Sequence, residues 1–236
     1  MEQEVLPQSV ATKEYQVSLD AIRKLEELGI LRIETKRTYR NPISSTLQVK
    51  EKVELTDTQK YVVQSVWEEM EEGNQTPVLI HGVTGSGKTE VFIRLVREVL
   101  KLGRAAMILV PEIALTPQMV SWFRVRFGDN AAVLHSGLSQ GEKFDEWRRI
   151  REGEARVVIG ARSAVFAPAS DIGIIVVDEE HETTYLSDRH PRYDARDVAA
   201  WRCENEGATL LLASATPSMT VSSTVLESSS SGSCGR

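Results

Sequence analysis

The sequence predicts an α/β domain built on a parallel sheet with helices on both faces. Three observations carry this. Residues 82–89 read Gly-Val-Thr-Gly-Ser-Gly-Lys-Thr, the pattern G-x-x-x-x-G-K-[ST], between an apolar strand and a helix. Short apolar runs then alternate with helical patterns down the chain. The run Gly173–Val177 is apolar throughout, as in a strand buried on both faces, and it ends in Asp178-Glu179-Glu180-His181.

Each element has a local reason. Ser18 is placed to cap a helix that carries Asp20 in its first turn, repeats Ile22, Leu25 and Leu28, and stops at Gly29. A strand pair is expected from Ile30 to about Val49. Helix, glycine and basic hairpin in that order suggest part of a winged-helix DNA-binding region, assigned to residues 1–50. Arg32, Lys36, Arg37 and Arg40 fall on its wing, either to touch a DNA backbone or to protect a solvated edge. Thr56-Asp57-Thr58-Gln59 has capping-box spacing and opens the main domain, assigned to 51–220. The helix that follows puts Val62, Val63, Val66, Trp67 and Met70 on one face and ends at Gly73, with Trp67 expected in the core.

Pro77–His81 is the first strand, and a helix runs from Thr89. Further strands are expected at 105–110, 131–134, 155–159, 173–177 and 208–213. Helices are expected at 117–127, 140–151 and 194–204, the last with Val198 and Trp201 packed inside. Thr116 before Pro117 is a helix start. Residues 221–236 are Ser-rich and read as a disordered or artefactual tail.

Composition narrows the class. The chain has 236 residues, 41% apolar, enough for one full α/β domain and a small one. No apolar run approaches a membrane span, and the acidic start Met1-Glu2-Gln3-Glu4 does not open a signal peptide. Cys203 and Cys234 are too far apart for a disulfide framework or metal-ligand spacing, which suits a reducing cytoplasm. A net charge of −6 excludes broad electrostatic coating of nucleic acid and leaves only local basic patches.

The chemistry follows from the residue types. Backbone N–H groups of Gly82, Val83, Thr84, Gly85, Ser86 and Gly87 can turn inward on a phosphate, aided by the helix N-terminus. Lys88 would reach the β- and γ-phosphates, and the Thr89 hydroxyl would ligate Mg²⁺. Ligands of open α/β sheets sit at the carboxyl ends of strands, so Asp178 and Glu179 should face this loop. Asp178 would hold Mg²⁺ through water, and Glu179 would orient and deprotonate an attacking water. Ser214-Ala215-Thr216 closes another strand, either as simple turn chemistry or as a sensor of the γ-phosphate.

In this order, Gly82–Thr89, Asp178–His181 and Ser214–Thr216 resemble motifs I, II and III of superfamily 2 helicases, which implies a RecA-like domain with ATP and Mg²⁺ as cofactors. Three further stretches, His81–Val91, Leu109–Gln118 and Ile159–Pro168, sharpen the likeness. With Arg192–Asp197, they resemble the PriA family of bacterial replication-restart helicases over roughly residues 15 to 220. The resemblance implies ATP-driven 3′→5′ unwinding at stalled forks. It also implies forked and single-stranded DNA, primosome proteins and single-strand-binding protein as partners. It makes Lys88, Asp178, Glu179 and His181 catalytic, Ser214 and Thr216 coupling residues, and gives Gln59 a second role at the adenine edge.

The loops at Pro111–Gln118 and Gly160–Phe166 would then face single-stranded DNA, with Pro111, Thr116, Gln118, Arg162 and Ser163 as contacts. Tyr185, Arg189, Arg192, Tyr193 and Arg196 interleave aromatics and cations directly after Asp-Glu-Glu-His. That suits a DNA-sensing loop in which Tyr185, Arg192 and Tyr193 touch DNA. The family also carries a preceding DNA-end-binding domain, a second motor domain and a zinc-binding insertion, whose ligands this chain lacks. The expectation is therefore a fragment that is inactive alone in unwinding. The alternatives are a nucleotide- and DNA-binding module without turnover, or another superfamily 2 translocase.

Overall fold

The computed structural model describes residues 8–33, 54–74, 76–83, 85–188, 190–216 and 224–227; residues 8, 9 and 224–227 are described by backbone alone. The chain divides into two compact units, Met1–Tyr39 and Arg40–Arg236. The first holds α1 (Gln8–Lys13) and α2 (Leu19–Glu27). Ser18 caps α2, its hydroxyl accepting from the Ala21 amide at 3.2 Å. Ile22 is buried, while Leu28 is exposed. Leu31–Ile33 form no strand, and the rest of the expected hairpin, with Lys36, Arg37 and Arg40, lies outside the described residues.

The second unit alternates as the pattern requires. Its elements are α3 (Asp57–Glu71), β1 (Val78–His81), α4 (Lys88–Lys101), β2 (Ala105–Leu109), α5 (Pro117–Phe127), β3 (Ala131–Leu134) and α6 (Gln140–Arg151). There follow β4 (Val157–Gly160), β5 (Ile172–Val177), α7 (Ala195–Glu206), β6 (Thr209–Ser214) and β7 (Thr224–Glu227). Short 3₁₀ turns at Glu112–Ala114, Arg162–Phe166 and Thr183–Tyr185 replace featureless loops. β7 falls in the stretch expected to be a tail; its backbone pairs with β1, Thr224 opposite Val78.

All pairings are parallel, in the order β3-β4-β2-β5-β6-β1-β7. Both faces are covered, so the central strands carry no polar alternation. One face packs Val62 and Val66 of α3, Val91, Phe92 and Leu95 of α4, and Val120 and Phe123 of α5. The other packs Ile150 of α6, Val165, and Ala195, Ala199 and Cys203 of α7. In α7 the residues facing the sheet are small, so the helix lies close and a large ring does not fit. Trp201 is therefore 62% exposed rather than in the core. Trp67 is half-buried, its Nε1 donating to Glu71 Oε1 at 2.7 Å.

The strand order sorts the loops at the carboxyl edge. β5, β6 and β1 are neighbours and end in Asp178–His181, Ser214–Thr216 and Gly82–Lys88. β4 and β2 are the next two and end in Gly160–Phe166 and Pro111–Gln118. The seam between the two groups runs between β2 and β5, where Leu109 pairs with Val177.

Candidate nucleotide site

The phosphate loop is shaped by glycine. Gly85 and Gly87 adopt φ of 83° and 82°, the left-handed region that L side chains rarely enter. Gly87 is the N-cap of α4, with no side chain capping the helix. The first-turn amides are thus not claimed by a capping group, the arrangement that favours an anion. A Cβ on Gly87 would sit 2.3 Å from Gln59 Nε2. Thr84 lies outside the described residues. Gly82 and Ser86 form the loop's ends, Val83 is exposed, and Thr89 is half-buried in the first turn of α4.

Gln59 is engaged at both ends of its amide. Its Oε1 accepts from the Thr56 amide at 3.0 Å, completing the capping box. Its Nε2 donates to the Ser86 carbonyl at 3.0 Å, bracing the loop from α3. One amide hydrogen is left over for a base.

Lys88 is 6% exposed, and its side chain folds back onto its own loop. Its Nζ donates to the Gly82 carbonyl at 2.7 Å and lies 3.7 Å from Glu179 Oε1. Burying an ammonium is costly unless it is paired, so these contacts hold in place a cation that a phosphate would satisfy better. Asp178 follows β5, its Oδ1 accepting from the Glu179 amide at 3.1 Å. Burial, and then the charge of Glu179, push its carboxyl up to about 6, against the pull of that hydrogen bond and of Lys88. Glu179 has φ of 45°, a conformation few side chains of its size adopt.

The three strand ends are tied together. The Gly82 amide donates to the Ser214 carbonyl at 3.1 Å, linking the loop to β6. Ser214 Oγ lies 2.7 Å from His181 Nδ1 and accepts from the Thr216 amide at 3.1 Å. His181 Nδ1 is also 3.7 Å from Glu179 Oε2. Lys88, Asp178, Glu179, His181, Ser214 and Thr216, far apart in sequence, thus form one connected site.

The residues expected to touch DNA separate into groups. Thr116, Gln118, Ser163 and Arg192 are exposed. Thr116 also caps α5, accepting from the Met119 amide at 3.3 Å. Pro111 is buried. Gly160 is needed where its loop leaves the sheet, since a Cβ there would be 2.4 Å from Ala164 Cβ. Arg162 is half-buried and donates to the Leu186 carbonyl at 2.5 Å, so it braces the 183–186 turn. Tyr193 packs edge-on against Phe166, with ring centroids 4.9 Å apart. Arg189 lies outside the described residues.

Tyr185 overturns its expected role. It is 1% exposed, and its hydroxyl reaches the carbonyls of Asp178 at 2.5 Å and Leu109 at 3.1 Å. It presents no face to solvent; its hydroxyl bridges the ends of β2 and β5 instead. Arg196 is likewise structural, paired to Asp194 at 2.6 Å and donating to the Glu180 carbonyl at 2.7 Å. Periodicity carries no signal for either, because both lie beside turns.

A glycine-shaped P-loop, an acidic strand end and a Ser/Thr strand end on adjacent parallel strands define a nucleotide-binding P-loop domain of the superfamily 2 helicase class. The comparisons agree. The DEAD/DEAH box helicase family matches residues 56–224, and the chain belongs to that family.

Within it, the chain is similar to replication restart protein PriA. It is 44% identical to that of Bacillus subtilis over 215 residues, covering 91% of this chain and 27% of the relative. It is 42% identical to that of Synechocystis over 203 residues, covering 86% and 24%. The chain thus spans about a quarter of the length of these relatives. Among solved structures, RecG bound to a three-way DNA junction aligns with a TM-score of 0.55 at 23% identity, over 70% of this chain and 21% of that one. The Pyrococcus furiosus Hef helicase domain aligns with a TM-score of 0.51 at 18% identity, over 72% and 38%. These likenesses carry the RecA-like fold. No helix among the described residues is long and apolar enough to cross a membrane. The described residues contain no group of three or more His, Cys, Asp or Glu that could hold a metal ion.

Proposed function

We propose that this chain is the ATP-binding motor domain of a DNA helicase of replication restart, acting 3′→5′ at stalled forks in the longer protein. The observation that carries the reading is the meeting of Lys88, Asp178, Glu179 and His181 at the ends of β1, β5 and β6. Lys88 would exchange its loop carbonyls for the β- and γ-phosphates. Thr89 and Asp178 would hold Mg²⁺, which neutralises phosphate charge when bound. Glu179, kept near Lys88 and His181, would position and deprotonate water. Gln59 would offer its remaining amide hydrogen to adenine. Ser214 and Thr216 would report the γ-phosphate to His181.

Thr116, Gln118, Ser163, Arg192 and Tyr193 would contact single-stranded DNA, with Arg162 holding the turn beside them. Primosome proteins and single-strand-binding protein are proposed partners of the longer protein, and the cytoplasm its location. Cleavage of ATP in this class uses an arginine from a second motor domain, worth about 10³–10⁵ in turnover where such fingers have been dissected. The test is DNA-stimulated ATPase of the longer protein with Arg192→Ala and Tyr193→Ala together. Basal turnover should hold and stimulation should flatten; full stimulation would remove these residues from the DNA path.

A further inference from the structure

A second surface lies along α6, outside the cluster of motif residues. Phe144 and Trp147 are 63% and 41% exposed there, unusual for rings of this size on a charged helix. With Pro168 they line a concave cavity of about 420 Å³ whose lining is almost wholly apolar. Lys143, Arg148 and Arg151 rim it. Arg148 is already used, pairing with Glu152 at 3.3 Å and lying 5.9 Å from the Phe144 ring centroid. Lys143 and Arg151 have no carboxylate partner among the described residues, and both are exposed.

We propose that this cavity docks an acidic peptide segment of a partner protein through one large apolar side chain. Aromatic anchors surrounded by arginine are the usual makings of a protein-binding hot spot. Geometry sets the peptide's pattern. Lys143 and Arg151 are eight residues apart on one helix, about 12 Å along the axis at a rise of about 1.5 Å per residue. In an extended peptide, residues four apart span about 13 Å. Carboxylates flanking an apolar residue at two positions either side therefore match the two cations while the anchor enters the cavity.

Nucleic acid fits less well. The cavity floor offers almost no polar group to a base edge. Glu142, Asp145 and Glu152 on the same helix also break any continuous positive track for phosphates.

The probe is a fluorescein-labelled peptide, capped at both ends, containing Glu-Ser-Phe-Ser-Glu, titrated against the full chain by anisotropy. Saturable binding is expected. It should weaken about tenfold with Lys143→Glu and Arg151→Glu together, and similarly in high salt, since two exposed ion pairs are inverted or screened. Trp147→Ala, or Ser for Phe in the peptide, should abolish it. The charge variants alter only exposed positions, so an unchanged melting temperature shows that they fold. No saturable binding overturns the proposal. So does binding indifferent to all these changes, or labelled single-stranded DNA that responds to them while the peptide does not.

Discussion

Replacing Tyr185 with Phe isolates one hydroxyl at the seam of the sheet. The ring stays, so no cavity opens; only the hydrogen bonds to Asp178 and Leu109 go. The Leu109 carbonyl keeps a partner, because the Asp178 amide donates to it at 2.9 Å. The Asp178 carbonyl loses its hydroxyl in a part-buried place. Leaving one buried acceptor unsatisfied costs about 1–3 kcal/mol. For a domain of this size each kcal/mol lowers the melting temperature by about 2–4 °C, so a fall of roughly 2–12 °C is expected. Trp201→Ala, at an exposed position, should stay within about 0.5 kcal/mol of wild type and serves as the control. The paired assay is salt-dependent binding of single-stranded DNA at a temperature where both proteins are folded, which should be unchanged. An unshifted melting temperature together with weakened DNA binding would refute the reasoning, for it would mean that the hydroxyl reaches solvent and DNA.

Two other outcomes follow from the site. The Asp178 carboxyl is raised to about 6, so the folded protein binds its proton more tightly than the unfolded chain does. Stability should therefore fall as pH rises from near the usual carboxylate range through about 6, while Mg-nucleotide affinity rises; Asp178→Asn should flatten both trends. An unchanged pH profile in that variant would exonerate Asp178. Gly87→Ala should cost about 1–2 kcal/mol for a left-handed residue. It should also evict Gln59 from the loop, so adding Gln59→Ala should recover part of the loss in melting temperature.

The sheet was legible because its strands are buried on both faces, and burial on both faces shows as unbroken apolar runs such as Ile172–Val177. The capping residues Ser18, Thr56 and Thr116 were legible because an exposed helix end has few other ways to satisfy its amides. The motif residues could be assigned to one site because parallel strands put all their carboxyl ends on one edge. What stayed hidden depends on distance to neighbours in space. Trp201 read as core until α7 proved to approach the sheet through Ala195, Ala199 and Cys203. Tyr185 read as a DNA contact, and Arg196 as part of the same sensing loop, because a ring or guanidinium beside a turn looks the same in sequence whether it faces solvent or backbone carbonyls. Gln59 showed its capping role, but its hold on Ser86 is a contact across 27 positions that no local pattern encodes.

Equilibrium titration with Mg-ATP of the wild type, Lys88→Ala and Glu179→Gln tests the central claim most directly. Lys88 is assigned to the phosphates, so its loss should abolish or greatly weaken binding. Glu179 is assigned to water and only attracts Lys88 across 3.7 Å, so Glu179→Gln should bind as tightly as wild type or more tightly. Equal loss of affinity in the two variants would contradict the assignment of both residues.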